Sequence, residues 1–407
     1  MGVNLRFAAA LLLGAAACSD ADPEPTPDAA AEAEREAAEA EASLSTLAAL
    51  GYTDYAEPSD EPAERSRVVL RDPERAEPGY TLYTSIPHGI AELVDAEGQV
   101  VQSWSDSAEP RWTRAQLAPN GDLLVLAQEP DRALLRLGWE GELLWRRVMT
   151  AHHDVELQQD GSILTLTDGS ELVPHVHRTR RTRTEFVSLL DGSGDGLEER
   201  SIFDLHAASP GLFGRRPPPT KGISAEKDLD VYHLNSVHRI APTERTGEHP
   251  LYEPGNVLVS MRHQDAVAIF SWETERILWA WGQGEIQVQH EATMLPGGTV
   301  LLLDNGSMKR GWSRVVEVDP LTDEIVWEYR APEPSDFFTA SRGTVQALPG
   351  GNVLVGSSNS GEAFEVTREG EVVWRFLNPH TDHQGRRGGI RVERYSEAFV
   401  RAILDGR

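Results

Sequence analysis

Five stretches of the chain repeat one alternation of polar turn and apolar run. They are LAPNGDLLVLA (Leu117–Ala127), LQQDGSILTLT (Leu157–Thr167), EPGNVLVSM (Glu253–Met261), LPGGTVLLLD (Leu295–Asp304) and LPGGNVLVGS (Leu348–Ser357). A glycine turn followed by leucine and β-branched residues predicts a hairpin whose second arm is a buried strand. A second element interleaves with the first and ends in tryptophan: GELLW at Trp145, ERILW at Trp279, DEIVW at Trp327, GEVVW at Trp374 and a looser GQVVQSW at Trp104. The last three of these tryptophans fall 48 and 47 residues apart (327 − 279 and 374 − 327). A unit of that length, made of several short strands and one tryptophan, fits a propeller blade better than a sandwich, whose strands do not recur in register. About six units can be counted, one of them weak, between Glu185 and Leu205. The expected fold is all-β, a six-bladed β-propeller, with no helical period of useful length after the N-terminal region.

The first residues have a different character. Residues 1–18 join Arg6 to a short apolar run and small residues ending at Cys18, as a bacterial lipoprotein signal does, with Cys18 the lipidated residue. Residues 19–66 are rich in Ala, Glu, Asp and Pro and read as an acidic tether, in which only Leu44 to Tyr52 looks able to dock. Residues 67–407 form the propeller. Localisation in the cell envelope, lipid-anchored to a membrane through Cys18, follows as an expectation. Cys18 is the only cysteine, so no disulfide forms within the chain.

The full chain of 407 residues carries a net charge of −27, which argues against nucleic acid as a partner because phosphate binding needs a basic surface. An anionic ligand would need a local positive pocket. Radial repetition tells where to search, since residues at one position of successive blades form a ring around the axis. Eight residues before the turn glycine stand His153 and His290, where other blades carry Thr113 and Gly343. His233 begins the corresponding strand of the blade with the lengthened hairpin. Seven residues after the turn glycine stand Arg262, Asn305 and Asp168. The two rings are expected near one mouth of the channel.

The motifs HHDVE, YHLNSVHRI, SMRHQDAV, QHEATMLPGG, LLDNG and SRVVEVD, in that order between Gly79 and Phe376, resemble the arylsulfate sulfotransferase family of exported bacterial enzymes. The resemblance implies transfer of a sulfuryl group from an aryl sulfate ester to a phenolic acceptor, with no nucleotide and no cofactor. It implies His290 as the sulfurylated nucleophile, Arg262 as the sulfate clamp, and His153 and His233 as the remaining catalytic histidines. His263, Asn235 and Asn305 are candidates for substrate binding or support.

The residue types suit that chemistry. Sulfuryl transfer, like phosphoryl transfer, is expected to develop charge on equatorial oxygens, which a planar guanidinium meets two at a time. A neutral imidazole is a nucleophile near pH 7, and a second can give a proton to the leaving phenolate. Taken singly, each histidine is also explained as a hydrogen-bonded core residue. The run VPHVHRTRRTRTEF reads either as a basic lid or as a solvated loop. No metal is expected, since no carboxylate recurs beside the histidines at ligand spacing. The alternative to an enzyme is a ligand-binding β-propeller lipoprotein without turnover.

Overall fold

Each glycine turn of the repeat lies between the first and second strands of an antiparallel sheet, and six such sheets follow one another around an axis. A computed structural model describes residues 54–56, 65–220, 224 and 226–407; the expected signal, Cys18 and most of the expected tether lie outside them. Everything below concerns the compact unit within 47–407.

Blade 2 is Arg111–Leu117, Leu123–Glu129, Ala133–Leu137 and Leu143–Val148. Blade 3 is His152–Leu157, Ile163–Leu172, Arg181–Leu190 and Gly196–Ser201, and blade 4 is Leu234–Arg239, Val257–Met261, Ala266–Ser271 and Arg276–Trp281. Blade 5 is His290–Met294, Val300–Asp304, Arg314–Asp319 and Glu324–Tyr329, and blade 6 is Thr344–Ala347, Val353–Ser357, Glu362–Val366 and Val372–Leu377. The tryptophans of the repeat sit on fourth strands. Blade 3 read as weak because its fourth strand, GLEERS, has none.

Blade 1 joins the two ends of the propeller. Its innermost strand is Ile390–Tyr395 from the C-terminal end, paired with Tyr80–Ser85, and Ile90–Val94 and Val100–Ser105 complete it. Arg67–Arg71 adds a fifth, outermost strand to blade 6, against Val372–Leu377. Second strands such as VLVSM and VLLLD are buried on both faces, which is why they are apolar throughout rather than alternating. The glycine at each turn is required by its backbone: Gly161 has φ 85° and Gly298 φ 86°, a region unfavourable to residues with a Cβ.

Among the described residues two short helices accompany the sheets, where no helical period of useful length was expected. Ile202–Ala208 is capped by the Ser201 hydroxyl, and Glu397–Asp405 is capped by that of Ser396. The second buries only Val400 and Ile403, against a core that includes Leu117 and Trp139, so its apolar stripe is too short for periodicity to reveal. Among the described residues no helix is long and apolar enough to cross a membrane.

The axis is filled by ions rather than left open. Arg114 of blade 2 pairs with Glu291 of blade 5 on the far side and lies 3.4 Å from Asp154 of blade 3. Arg391 of blade 1 lies 3.7 Å from Asp154 and 3.6 Å from Glu291. All four side chains are at most 15% exposed.

Candidate functional site

The inner strands of blades 3, 4 and 5 slip register at one mouth of the channel. His152 pairs with Leu166 while Val155 pairs with Thr165, so two residues bulge out; single-residue bulges follow Leu234 and His290. The chain there takes left-handed values at His153 (φ 62°), His233 (φ 52°) and Glu291 (φ 50°), which side-chain-bearing residues rarely adopt. Bulges of this kind re-aim side chains, and strained backbone clusters at functional sites.

Four of the sequence candidates meet here. The His153 and His233 rings are 4.8 Å apart edge to face, and His233 is 4.5 Å from His263. Arg262, 4% exposed, opens the short turn Arg262–Gln264 after the second strand of blade 4. Its N–H donates to the His233 carbonyl (3.1 Å), which ties the clamp candidate to the histidine strand. The guanidinium is electrostatically felt at His233, His263 and His290, where it disfavours a second positive charge.

The tautomer of His290 follows from its neighbours. Asn305 uses its amide group to donate to the carbonyls of Thr339 (2.7 Å) and Arg342 (2.8 Å), so its Oδ1 must be an acceptor. His290 Nδ1, 2.7 Å from that oxygen and 3.1 Å from the Val288 carbonyl, therefore carries the proton. Nε2 then holds the lone pair, which accepts from the Arg342 peptide N–H at 3.2 Å. Burial, then the Arg262 charge, holds the pKa of His290 well below the ordinary histidine range, so it is a neutral imidazole.

His233 is oriented from behind. Its Nδ1 lies 2.5 Å from Asp230 Oδ2, and Asp230 also accepts from Arg183 at 3.2 Å. Burial outweighs Asp230 and pushes His233 down to about 3. Burial works against an ionised Asp230 too, but His233, His263 and Arg183 prevail and hold its carboxyl far below the usual range. His153 is neutral through burial and the neighbouring histidines, and its Nδ1 shares one proton with His152 Nδ1 across 2.7 Å.

The other candidates take supporting places. His263 Nδ1 bonds the Asp230 carbonyl (2.9 Å), and Gln264 bonds the Val231 carbonyl (2.6 Å) and Arg216 N–H (2.7 Å). Asn235 donates to the Gln289 carbonyl (2.7 Å), and its buried Oδ1 has no hydrogen-bond partner among the described residues. Asp168 shares the ring position of Arg262 but is held by Arg132 (2.7 and 2.8 Å) and Arg183 (2.7 Å). Of the basic run, only Arg183 reaches Asp230; His175, His177 and Arg178 are exposed. A surface groove of about 410 Å³, lined by Phe186, Glu199, Arg200 and Asp204 among others, includes none of the site histidines.

Asp230, Arg183, His152 and Arg342 escaped the reading of the sequence. The detectable signal for Asp230 was its place three residues before His233, and for Arg342 its place beside Gly343 of the histidine ring. No metal was expected because no carboxylate recurs beside the histidines at ligand spacing; in the fold Asp230, His233 and His263 bring ligand atoms within 4.8 Å of one another. In that set His233 Nδ1 bonds the Asp230 carboxylate, and His263 Nδ1 bonds the Asp230 main-chain carbonyl.

Fold and mouth together define a propeller protein whose polar end gathers neutral histidines around a buried arginine, a setting for a small anionic group. The pattern of the family described as Arylsulfotransferase (ASST) matches residues 114–379, and the chain belongs to that family. No curated protein matches it. A protein of unknown function from Bacteroides caccae is similar in fold at 13% identity and TM-score 0.52, over 78% of this chain and all of that one. A catalytically inactive virginiamycin B lyase from Staphylococcus aureus aligns at 8% identity and TM-score 0.43, over 76% of this chain and 87% of that one.

Proposed function

We propose that the protein is a nucleotide-independent aryl sulfotransferase that moves a sulfuryl group from an aryl sulfate ester to a phenolic acceptor through a sulfohistidine at His290. The observation that carries this reading is the neutral His290 with its proton held on Nδ1 and its lone pair on Nε2, in the field of a buried arginine.

In the first half-reaction the Nε2 lone pair attacks sulfur, releasing its bond to the Arg342 N–H, and the sulfur–aryl oxygen bond breaks. The phenolate takes a proton from His233 or His153, whose protonation the negative charge of the incoming ester favours. Arg262 holds the sulfuryl oxygens, and the Nδ1–H to Asn305 stabilises the charged imidazole that forms. In the second half the acceptor phenol gives its proton back to the same base, attacks sulfur and returns the electron pair to Nε2. Asp230 keeps the His233 proton on Nδ1, so that Nε2 is the exchanging atom. By the same reading a lipid on Cys18 holds the protein in the cell envelope; Cys18→Ala would then move it from detergent extracts to the soluble fraction.

The decisive test is a chromogenic aryl sulfate supplied with and without an acceptor phenol. Ping-pong kinetics are expected, and donor alone should leave a sulfuryl group on the peptide containing VQHEATMLPGG. A label on HHDVELQQDG instead would transfer the carrier role to His153. Binding of aryl sulfates with neither label nor phenol release, whatever the acceptor, would leave a ligand-binding propeller.

A further inference from the structure

Residues 54–56, just before the propeller begins, lie over the same mouth. The Asp54 carbonyl accepts from Gly389 N–H (2.7 Å), and Ala56 N–H donates to the Arg387 carbonyl (2.7 Å). Tyr55 packs edge to face on His88 and under the guanidinium of Arg386. The Asp54 carboxylate is the part that matters. Two arginines from different blades converge on its Oδ1: Arg111, at the start of the inner strand of blade 2, at 2.7 Å, and Arg342, just before the inner strand of blade 6, at 2.8 Å.

Arg342 ties this contact to the proposed nucleophile, because its own peptide N–H donates to His290 Nε2. The loop that carries it is rigidly placed: Asn305 bonds the Thr339 and Arg342 carbonyls, and Asn359 accepts from Ser341 N–H (2.9 Å). The carboxylate of Asp54 is therefore separated from His290 by at most one arginine side chain and the hydrogen bond at each of its ends. Both arginines are mostly buried, at 21% and 12% exposed, while Asp54 is 37% exposed, as expected of a group that can leave to solvent. Among the described residues the other acid near Arg111 is Glu129, 4.0 Å from its Nε.

We propose that Arg111 and Arg342 form an anion subsite, separate from Arg262, that takes the carboxylate of an aromatic acid whose hydroxyl faces His290, and that Asp54 occupies this subsite as a built-in competitor. Two convergent guanidinium groups recognise a carboxylate by charge-assisted bonds wherever it comes from. The aromatic identity of the ligand rests on the sulfotransferase reading; the carboxylate preference does not.

Calorimetric binding of 4-hydroxybenzoate and of its uncharged methyl ester to the full chain tests the proposal without requiring turnover. Asp54→Ala, and Asp54→Asn which keeps the shape, should tighten the acid roughly tenfold, the effect of removing one competing charge-assisted pair, and leave the ester unchanged. In the double variant Asp54→Ala/Arg111→Ala that gain should vanish, which separates a local subsite from a general change in net charge. As acceptor, 4-hydroxybenzoate should show a lower KM in Asp54→Ala, and phenol an unaltered one. Equal tightening of acid and ester, no tightening of either, or a gain that survives loss of Arg111 would each overturn the subsite. Absence of transfer with the acid preference intact would overturn the enzyme reading alone.

Discussion

His153 and Asp154 are consecutive, as are His290 and Glu291, yet the two members of each pair end in different surroundings. The histidines stand in the mouth, neutral, their Nδ1 atoms fixed by His152 in one case and by Asn305 and the Val288 carbonyl in the other. The acids stand in the axis, enclosed by Arg114 and Arg391. Both regions are buried, polar and rich in groups that titrate. The difference is compensation: the axis meets its charges with opposite charges from across the channel, while the mouth keeps imidazoles uncharged beside an arginine. A compensated cluster stiffens the ring of blades, whereas a set of neutral bases beside a cation retains affinity for an incoming anion.

Substitutions should therefore separate the two regions. The largest effect is expected in the mouth: His290→Asn should lower turnover by at least about a thousandfold and abolish the label, as loss of a covalent nucleophile does, while circular dichroism and the denaturation midpoint stay near wild type. In the axis, Arg114→Ala leaves Glu291 and Asp154 short of a partner and should cost about 3–5 kcal/mol of stability in chemical denaturation. Turnover per folded molecule should change far less. An Arg114→Ala protein of normal stability without activity would erase the division between the regions.

Arg262→Lys comes next, with turnover reduced on the order of a hundredfold, because an ammonium offers a point charge where a planar fork is needed. Lysine activity equal to wild type would remove Arg262 from the clamp role. The smallest effect lies in pH. His153 and His290 are held well below the unfolded value of 6.5, so the unfolded chain takes up their protons first and stability falls as pH drops below about 6.5. Asp154 runs the other way: burial, opposed by Arg114, raises it from 3.8 to about 6, so stability is lost as pH rises through that window. Relative to wild type, His153→Gln should gain stability as pH falls from 6.5 to 5, and Asp154→Asn as pH rises from about 4 to 6. Each slope is at most about 1.4 kcal/mol per pH unit, and slopes of one sign in both variants would contradict the comparison.

The architecture was legible because a propeller repeats: a glycine turn, a buried second strand and a tryptophan on the fourth strand recur at nearly constant spacing, and ring positions follow by counting. That counting reached His153, His290, Arg262 and Asn305. It could not weigh Asp168, which shares a ring position with Arg262 but is consumed by Arg132 and Arg183. Nor could it find Asp230, because the lengthened hairpin of blade 4 breaks the count, or Asp54, which lies outside the repeat altogether.

The sequence by itself determined the blades, their number and the family, since these rest on local turn chemistry, on alternation of burial and on motifs that need no knowledge of distant partners. Only the tertiary structure decided that Ile390–Tyr395 closes blade 1, that Arg114 meets Glu291 across the axis, and that one loop of blade 6 touches both His290 and Asp54. Those contacts join residues 52 to 315 positions apart (342 − 290 and 395 − 80), at distances that closing the ring sets and that no local pattern encodes.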